Sequence, residues 1–402
     1  MKVLILAPNG GVSLSTGGGV NFVLKQAYTL DRLGHEVTIA GFHSLPREDL
    51  SRIHSVQISR NVKIASAAST TSYNAFRAVP VKLSAYNALL DPRFRHWIER
   101  LFESVEPEAV WFNDDIPRVA SRYRKRCRFY LYVHFPLAGR TTRVTPLVDR
   151  TAVERLNDIA LRATSSLYLV NNPFDLCDGV WTNSTVTSRV VHLVWGQDGV
   201  YLPTYVLNQG SHIVKSGDHS VISIGSFTKG KNYAQLIEGF AKARPANWKL
   251  QVAGHERDGL YIKGLRRLIR RLEVEDSVEL VVSPSGEHLH QLVNQASLAV
   301  HPARFEPFGL ALLEAMSAGL GAVAFRGAYS GGWLDILDQG KYGRGFNTSA
   351  DLAEQLTHLA HDGQNLAELQ EQARSRAAMF SQSIYERRME EIHGRVTRTY
   401  PN

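Results

Sequence analysis

The residues best suited to chemistry in this chain are two glutamates, Glu306 and Glu314, which lie eight positions apart. An apolar strand pattern over 298–300 precedes them. Apolar residues at helical spacing then predict a helix from about residue 310, with Gly319 as its C-cap. Glu306 is therefore predicted in a loop and Glu314 about two turns into the helix. Carboxylates at these places can accept hydrogen bonds from hydroxyls at the mouth of a pocket and deeper inside it.

A glycine between the two glutamates, Gly309, falls at the predicted helix N-terminus. Free N–H groups and the helix dipole favour an anion such as a pyrophosphate there, and glycine lets the backbone approach it closely. A ligand with a sugar, a pyrophosphate and a ribose, which is a nucleotide-sugar, would fit this spacing. The alternative is an ordinary strand–loop–helix unit with solvent-facing glutamates, because two glutamates at this spacing are common.

The wording around the glutamates, F-E-P-F-G-L-x-L-L-E-A-M-x-x-G, resembles the E-x7-E segment of family 4 retaining glycosyltransferases over fifteen positions. The resemblance implies an α/β chain with two Rossmann-like domains facing a cleft, the GT-B fold. It also implies that Glu306 contacts hydroxyls of the donor sugar and that Glu314 binds the ribose. Phe308, Gly309 and Leu310 would bind the donor as well, with the backbone that follows Phe308 cradling the phosphates.

A glycine-rich stretch near the N-terminus joins a buried-strand run, 3–7, to a helix predicted from about 20 to 33. This is the opening of a Rossmann-like half, although the glycines do not follow the order G-x-G-x-x-G of a dinucleotide fingerprint. Turn geometry alone is one reading of these glycines. The family resemblance implies the other, in which Gly18 and Gly19 lie in a loop that faces the donor.

A histidine, His134, directly follows the strand pattern of 129–133. Ligands of α/β domains bind at the carboxyl ends of strands, although a satisfied loop histidine is the commoner case. The wording V-H-F-P resembles a family histidine that hydrogen-bonds the donor sugar, which favours the functional reading. Another strand, 109–113, ends in Asn113-Asp114-Asp115; these carboxylates are not a D-x-D pair, so no metal is assigned to them.

A second glycine and lysine segment lies between a strand at 221–224 and a helix at 233–243. The family expects G-R-L-x-x-x-K-G here, with the arginine and the lysine gripping the pyrophosphate. Lys231 occupies the lysine position, but Ser226 stands where the arginine is usual and cannot form a bidentate phosphate grip. Lys229 or helix N–H groups are the candidates to compensate. The alternative is a solvated lysine turn.

A chain of 402 residues is long for one domain and natural for two. The expected acceptor-side domain covers 1–207, with a C-terminal helix at 380–402 packing back on it. The nucleotide-sugar-binding domain covers 220–379, and the polar stretch between them reads as a linker. The passage 178–203 is similar to mannosyltransferases that build dolichol-linked oligosaccharides.

Composition narrows the class of protein. Forty-six basic against 38 acidic residues give a net charge of +8, which favours anionic partners; no nucleic-acid-binding motif occurs, so we expect none of that kind. Two cysteines offer neither a disulfide framework nor a metal-ligand set. No apolar run approaches the ~20 residues of a membrane span, and a cytoplasmic location is expected. An arginine-rich helix at 265–272 is either a solvated face or a surface for acidic lipid.

The predicted reaction is transfer of a hexose of the mannose or glucose type from GDP- or UDP-hexose to a hydroxyl, with retention and without a required metal or other cofactor. The acceptor would be a glycan or a lipid-linked glycan, with peripheral membrane contact in the latter case. In the family account Lys231 and the Gly309 N–H groups stabilise the leaving phosphate, while Glu306 and His134 position the sugar. Two alternatives stay open: a non-catalytic nucleotide-sugar or glycan-binding protein on the same fold, and a nucleotide-sugar epimerase.

Overall fold

The computed structural model describes residues 1–7, 13–14, 18–54, 56–69, 92–134, 167–206 and 219–397. The chain forms two compact units, the first made of Met1–Asn183, Thr187–Pro203 and Glu386–Asn402, the second of Ser184–Val186 and Thr204–Tyr385. The first unit thus runs to Pro203 where 207 was predicted, and the chain rejoins it at Glu386 where 380 was predicted. The predicted linker lies almost wholly outside the described residues.

The first unit contains, within its described residues, a seven-stranded parallel sheet in the order β10-β9-β8-β7-β1-β3-β5. Its strands are β1 Lys2–Leu6, β3 Glu36–Ala40, β5 Lys63–Ala65, β7 Ala109–Asn113, β8 Arg128–Val133, β9 Gly179–Thr182 and β10 Val200–Tyr201. A small parallel sheet joins β2 Ser13–Leu14, β4 His43–Ser44 and β6 Ala68–Ser69. The central strands are continuous apolar runs because both faces of a parallel sheet are covered.

The helices that accompany this sheet are α1 Gly18–Arg32, α2 Arg47–His54, α3 Pro92–Val105 and α4 Thr185–Trp195. Gly18 and Gly19, expected in a loop, form the start of α1 instead. Glycine is unfavourable mainly in helix interiors, and Gly18 and Gly19 occupy only the first two positions of this helix. The neighbouring glycines at 10, 11 and 17 lie outside the described residues.

The second unit is built on a six-stranded parallel sheet in the order β13-β12-β11-β14-β15-β16. The strands are β11 Ser220–Ile224, β12 Lys249–Gly254, β13 Val278–Val282, β14 Leu298–His301, β15 Gly321–Phe325 and β16 Arg344–Phe346. Its helices are α5 Tyr233–Ala243, α6 Gly259–Arg271, α7 Gly286–Gln295, α8 Leu310–Ser317, α9 Ser349–His361 and α10 Gly363–Ala378. The last helix, α11 Gln382–Thr397, begins in this unit and ends in the first.

Alternate residues along the strands of the second sheet enter two different cores. Val221 packs with α5, α6 and α9 on one face, and its neighbour Ile222 packs with α7 and α8 on the other. Val300 and Ala299 divide in the same way, as the two-residue period of a strand requires. The predicted pair of α/β units is confirmed. None of the described helices is long and apolar enough to cross a bilayer.

Candidate functional site

The strand order of the second sheet changes direction between β11 and β14, which are hydrogen-bonded neighbours although β12 and β13 lie between them in the chain. Loops that leave the carboxyl ends of such a strand pair diverge and open a crevice, the usual ligand site of an open α/β sheet. The loop after β11 carries Lys231, and the loop after β14 carries Glu306. The fold therefore brings together two residues that are 75 positions apart in sequence.

The backbone of Glu306 is held on both sides by the loop that follows β15. The Glu306 N–H donates to the Tyr329 carbonyl at 2.9 Å, and the Gly331 N–H donates to the Glu306 carbonyl at 2.7 Å. A Cβ at Gly331 would lie 2.7 Å from the Phe308 Cα, so this approach of two backbones requires glycine. These two main-chain hydrogen bonds fix the backbone of Glu306 and thereby help to orient its side chain.

Lys231 ends a short helical turn, Lys229–Lys231, and Asn232 follows it in the left-handed region with φ of 57°. The Asn232 amide donates to the Pro302 carbonyl at 3.2 Å, which ties this turn to the loop after β14. The Lys231 ammonium forms an ion pair with the Glu306 carboxylate. Gly225 lies beside this lysine, since a Cβ there would be in ordinary van der Waals contact with the Lys231 Cε, at 3.4 Å.

A third group, His301, lies against this ion pair at the end of β14. The residue is only 4% exposed, and its Nε2 lies 3.7 Å from a Glu306 carboxylate oxygen. No described residue gives that Nε2 a hydrogen bond. A Cβ at Gly332 would lie 2.9 Å from the ring, so glycine at 332 makes room for the histidine.

Burial and charge set the protonation states of these groups. Burial lowers the pKa of His301 to about 4; Glu306 opposes this shift and Lys231 adds to it. Burial alone would raise the pKa of Glu306, but Lys231 and then His301 outweigh burial and leave it below its ordinary value. At neutral pH the site thus holds a charged lysine, a charged carboxylate and a neutral imidazole. Such a set can bind an anion and accept hydrogen bonds from hydroxyls.

The Tyr233 hydroxyl is a further buried polar group at this edge, without a hydrogen bond to any described residue. A Cβ at Gly225 would lie 2.8 Å from it, and burial first, then Tyr261 and Glu306, raises its pKa. Sequence reasoning missed both Tyr233 and His301. The signal available for His301 was its place at the carboxyl end of a predicted strand, the same signal that singled out His134.

Gly309 stands at the N-terminus of α8 with φ of 97°, and a Cβ there would lie 3.1 Å from the Gly332 Cα. The N–H groups of the third and fourth helical residues both donate to the Gly309 carbonyl, at 3.0 and 3.2 Å. The N–H groups of Leu310 and Ala311 therefore remain at the open end of the helix. This is the local geometry expected of an anion cradle.

The other second-unit residues that were predicted to bind the nucleotide-sugar donor, or to compensate for the missing arginine, lie as follows. The Phe308 side chain is 5% exposed and packs edge-on against Phe380, with ring centroids 5.9 Å apart, so only its backbone is available at the helix start. Glu314 is exposed and is the fifth residue of α8, little more than one turn in where two turns were predicted. Ser226 is half-buried just after β11, and Lys229 is exposed.

His134 occupies the corresponding edge of the first sheet, directly after β8. Its N–H donates to the Asp114 carboxylate at 2.7 Å, and its carbonyl accepts from the Thr187 hydroxyl at 2.8 Å. The ring Nε2 lies 3.1 Å from the Asn113 Oδ1. Burial lowers the pKa of His134, and Asp114 opposes that shift. Among the described residues, no group of three or more His, Cys, Asp or Glu side chains could hold a metal ion.

The sequence of the second unit matches a known family over residues 208–376, the model described as "Glycosyl transferases group 1". These residues form a glycosyl transferases group 1 domain. The site built from Lys231, His301, Glu306 and the start of α8 lies inside this group 1 domain. The predicted glycosyltransferase resemblance is confirmed, whereas the roles of the individual site residues stay predictions.

Curated relatives extend the likeness beyond the group 1 domain. The chain is 27% identical over 292 residues to the GDP-Man:Man(3)GlcNAc(2)-PP-Dol alpha-1,2-mannosyltransferase of Dictyostelium discoideum, covering 63% of this chain and 56% of that enzyme. It is 26% identical to the human enzyme of the same name over 66% of this chain and 60% of that one. A GDP-mannose:cellobiosyl-diphosphopolyprenol alpha-mannosyltransferase of Xanthomonas oryzae is 45% identical over 95 residues, 24% of this chain and 25% of that enzyme. The chain thus aligns with at most about 60% of these relatives' length.

Solved structures match over nearly the whole length of the chain. Sucrose-phosphate synthase from Thermosynechococcus elongatus superposes with a TM-score of 0.70 at 16% identity, over 99% of each chain. WaaG, a glycosyltransferase involved in lipopolysaccharide biosynthesis, superposes with a TM-score of 0.67 at 14% identity, over 98% of this chain and 99% of that one. The chain has the GT-B fold, as predicted. At these identities the likeness concerns the fold alone.

Proposed function

We propose that this protein is a retaining hexosyltransferase that moves mannose from GDP-mannose to a hydroxyl of a lipid-linked glycan. The observation that carries the proposal is the Lys231–Glu306 ion pair beside buried His301, at the strand reversal of a group 1 domain. The relatives named above use GDP-mannose and glycans attached to polyprenyl diphosphates. UDP-hexose is the second donor to be tested, because HepE from Anabaena, of known structure with UDP and glucose, shares the fold at a TM-score of 0.65, 17% identity and 98% coverage of this chain and 99% of that one.

The proposed step breaks the bond between the sugar C1 and the diphosphate oxygen and forms a bond from C1 to the acceptor oxygen on the same face. The acceptor proton passes to the leaving diphosphate. Lys231 and the free N–H groups at the start of α8 stabilise the charge that develops on that diphosphate. Glu306 holds sugar hydroxyls and Glu314 holds the ribose. No metal is assigned to the reaction, because these groups supply the electrostatic stabilisation; chelation by EDTA should leave the rate unchanged.

The test is turnover of GDP-mannose, and of UDP-glucose as the comparison donor, with a polyprenyl-diphosphate-linked oligosaccharide as acceptor. Mass spectrometry should detect the extended glycan, and NMR should give the new linkage the α configuration of the donor. A binding protein would bind GDP-mannose without releasing GDP. An epimerase would change the sugar without any acceptor. Either result, in place of an extended glycan, contradicts the proposal.

A lipid-linked acceptor requires contact with a membrane, and α6 offers a surface of suitable chemistry. Leu260, Lys263, Arg267 and Arg271 follow one another at helical spacing, and all four are exposed, Leu260 by 78%. The opposite face of the helix is buried in the core. No described residue forms an ion pair with these basic side chains. Acidic lipid headgroups match such a face, with one apolar side chain to insert between them. Peripheral association from the cytoplasmic side stays part of the proposal.

Co-sedimentation with anionic and neutral vesicles tests this surface. Removing two basic residues near an anionic membrane costs about 1 kcal/mol each, so Arg267→Gln/Arg271→Gln should weaken partitioning roughly 30-fold at low salt. The matched control is Arg95→Gln/Arg122→Gln, which removes the same charge from arginines already paired with Glu99. Equal loss in both double variants, or equal pelleting with neutral vesicles, contradicts the assignment of α6.

A further inference from the structure

The strand order of the first sheet also changes direction, between the neighbouring strands β1 and β7, and Asn113 is the last residue of β7. Asn113 is fully buried. Its amide nitrogen donates to the Leu6 carbonyl at 2.8 Å, at the end of β1. Its Oδ1 lies 3.1 Å from the Nε2 of His134. One side chain therefore links the main chain of one strand to the imidazole that follows another.

The hydrogen-bond network assigns both ends of this link. A backbone carbonyl only accepts hydrogen bonds, so the NH2 end of the Asn113 amide must face Leu6. Its oxygen then faces the histidine, and an amide oxygen only accepts. The proton of a neutral His134 ring consequently belongs on Nε2. The other ring nitrogen, Nδ1, keeps its lone pair and has no hydrogen bond to a described residue.

We propose that Asn113 is a positioning residue that holds His134 as the Nε2–H tautomer, so that Nδ1 accepts a hydrogen bond from a ligand hydroxyl. The identity of that hydroxyl as part of a donor hexose rests on the proposed function. The tautomer itself is a property of the protein without ligand. The direction of the bond is the new element, because the family resemblance implies only that this histidine hydrogen-bonds the sugar.

Packing fixes the plane of the His134 ring, and the hydrogen bond to Asn113 selects between the two ring orientations that this plane allows. Phe22 meets the His134 ring edge-on with centroids 4.9 Å apart, and Tyr132 lies at the same centroid distance on a tilted plane. Asp114 and Thr187 anchor the His134 backbone. Rotating the ring by half a turn would exchange Nε2 for a carbon and leave the buried Asn113 oxygen without its donor, which is costly.

The charge state agrees with the geometry. Burial lowers the pKa of His134, and the Asp114 carboxylate only partly opposes that shift. A neutral imidazole has one donor and one acceptor nitrogen, whereas the protonated ring has two donors and no acceptor. A hydroxyl-accepting Nδ1 therefore requires the neutral ring, and Asn113 determines which nitrogen remains the acceptor.

The first experiment is NMR of the full-length protein labelled with 15N-histidine, in which the two ring nitrogens have distinct shifts in each tautomer. Wild type should give His134 a protonated Nε2 and an unprotonated Nδ1. Asn113→Ala should lower the ratio of the Nε2–H to the Nδ1–H form about fivefold, as for loss of one hydrogen bond. The ratio should move toward that of a blocked histidine under the same conditions.

The matched variant is Asn113→Asp, which also loses the bond to Leu6 but keeps an acceptor for Nε2. It should retain the wild-type tautomer, and the added negative charge should raise the pKa of His134. A merely structural role for Asn113 predicts equal changes in both variants. Protonated Nδ1 in wild type, or an unchanged tautomer ratio in Asn113→Ala, overturns the proposal.

The second experiment compares binding of donor sugars in which single hydroxyls are replaced by hydrogen or by fluorine. Fluorine cannot donate a hydrogen bond, so at the hydroxyl that faces His134 both replacements should weaken binding equally, by about fivefold. Better binding of the fluoro than of the deoxy compound at that position would mean that His134 donates, which overturns the direction of the bond. Failure of the proposed transferase is a different result, because the NMR experiment contains no donor or acceptor.

Discussion

Each of the two sheets places a histidine near the carboxyl ends of its strands, but the groups around the two histidines differ in charge. In each sheet the strand order changes direction once, and a buried or half-buried histidine lies at or next to that point: His301 ends β14, and His134 follows β8, the neighbour of β7. In the first sheet the imidazole of His134 is neutral and is fixed by Asn113 and aromatic packing. In the second sheet His301 is also neutral, but it lies against a charged pair, Lys231 and Glu306. One edge is built for orientation and the other for stabilising charge.

The difference follows from what approaches each edge. Glycines line the carboxyl ends of the strands in the second sheet: a Cβ at Gly225 would lie 2.8 Å from the Tyr233 hydroxyl, and one at Gly309 would lie 3.1 Å from the Gly332 Cα. Close backbone approach leaves N–H groups and an ammonium where an anion can reach them. The first edge is filled by Phe22 and Tyr132. Because these aromatic side chains fill the space around His134, the imidazole can contribute only a hydrogen bond in a fixed direction.

The largest effect should come from removing the charge of the second edge. Lys231→Ala should lower turnover by about 2–4 kcal/mol, roughly 30- to 1,000-fold, and lower donor affinity by much less, because a preorganised charge acts mainly on the transition state. Steady-state kinetics with the donor varied separates the two quantities. Lys249→Ala, which removes an exposed lysine from the first residue of β12, is the control. A rate effect below threefold would mean that the phosphate is held elsewhere.

The protonation state of His301 should appear in the pH dependence of stability. The unfolded chain binds a proton on this residue below about pH 6.5, whereas the folded chain binds it only below about 4. Between these two pKa values the unfolded chain binds the proton and the folded chain does not, so protons favour unfolding. The titration of His301 should therefore lower the free energy of unfolding by about 3 kcal/mol as the pH drops from 6.5 to 4. His301→Gln should lose that part of the slope in chemical unfolding.

Two comparisons make this measurement specific. His290→Gln removes an exposed histidine from the same unit and should keep the wild-type slope. His134, whose pKa is also lowered, titrates in the wild type and in both variants, so its contribution cancels in the difference. Parallel slopes for wild type and His301→Gln would contradict a buried neutral His301.

Smaller effects should distinguish the roles of the two glutamates in the second sheet's site. Glu314→Ala should weaken binding of free GDP about tenfold, as for a hydrogen bond to a charged group. Glu306→Ala should lower turnover but leave GDP binding intact or stronger, because Lys231 is released from its carboxylate partner. Isothermal titration with GDP and donor kinetics give the two readings, with Glu354→Ala on α9 as the control. If both site variants behave like wild type, these glutamates do not contact the donor.

Much of the fold could be predicted because parallel strands buried on both faces are plain in the sequence. The strand at 109–113 and the helix at 233–243 have the predicted bounds in the structure. The resemblance to the family assigned Lys231 and Glu306 to the same donor, but their contact with each other was not predicted. Nothing in a local pattern relates residues 75 positions apart, and their ion pair depends on the reversal of strand order.

What the sequence could not show has equally local causes. The family resemblance placed Phe308 among the donor-binding residues, and burial of its side chain in the core leaves only its backbone for that contact. His301 was passed over because its burial depends on Gly332, which reaches it from another loop. Asn113 carried no signal of its own. Its amide acquires meaning only when β1 and β8 lie on either side of β7.

The ion pair between Lys231 and Glu306 has a consequence for competition inside a cell. An ammonium that already holds a carboxylate is a poor trap for simple anions, since each must displace a neighbour that is covalently tethered in place. Inorganic phosphate and ATP carry negative charge but bring no hexose hydroxyls to the carboxylate they would displace. A sugar diphosphate brings both. If the proposed function holds, the Lys231–Glu306 pair therefore favours a sugar diphosphate over phosphate and ATP before any ligand has bound.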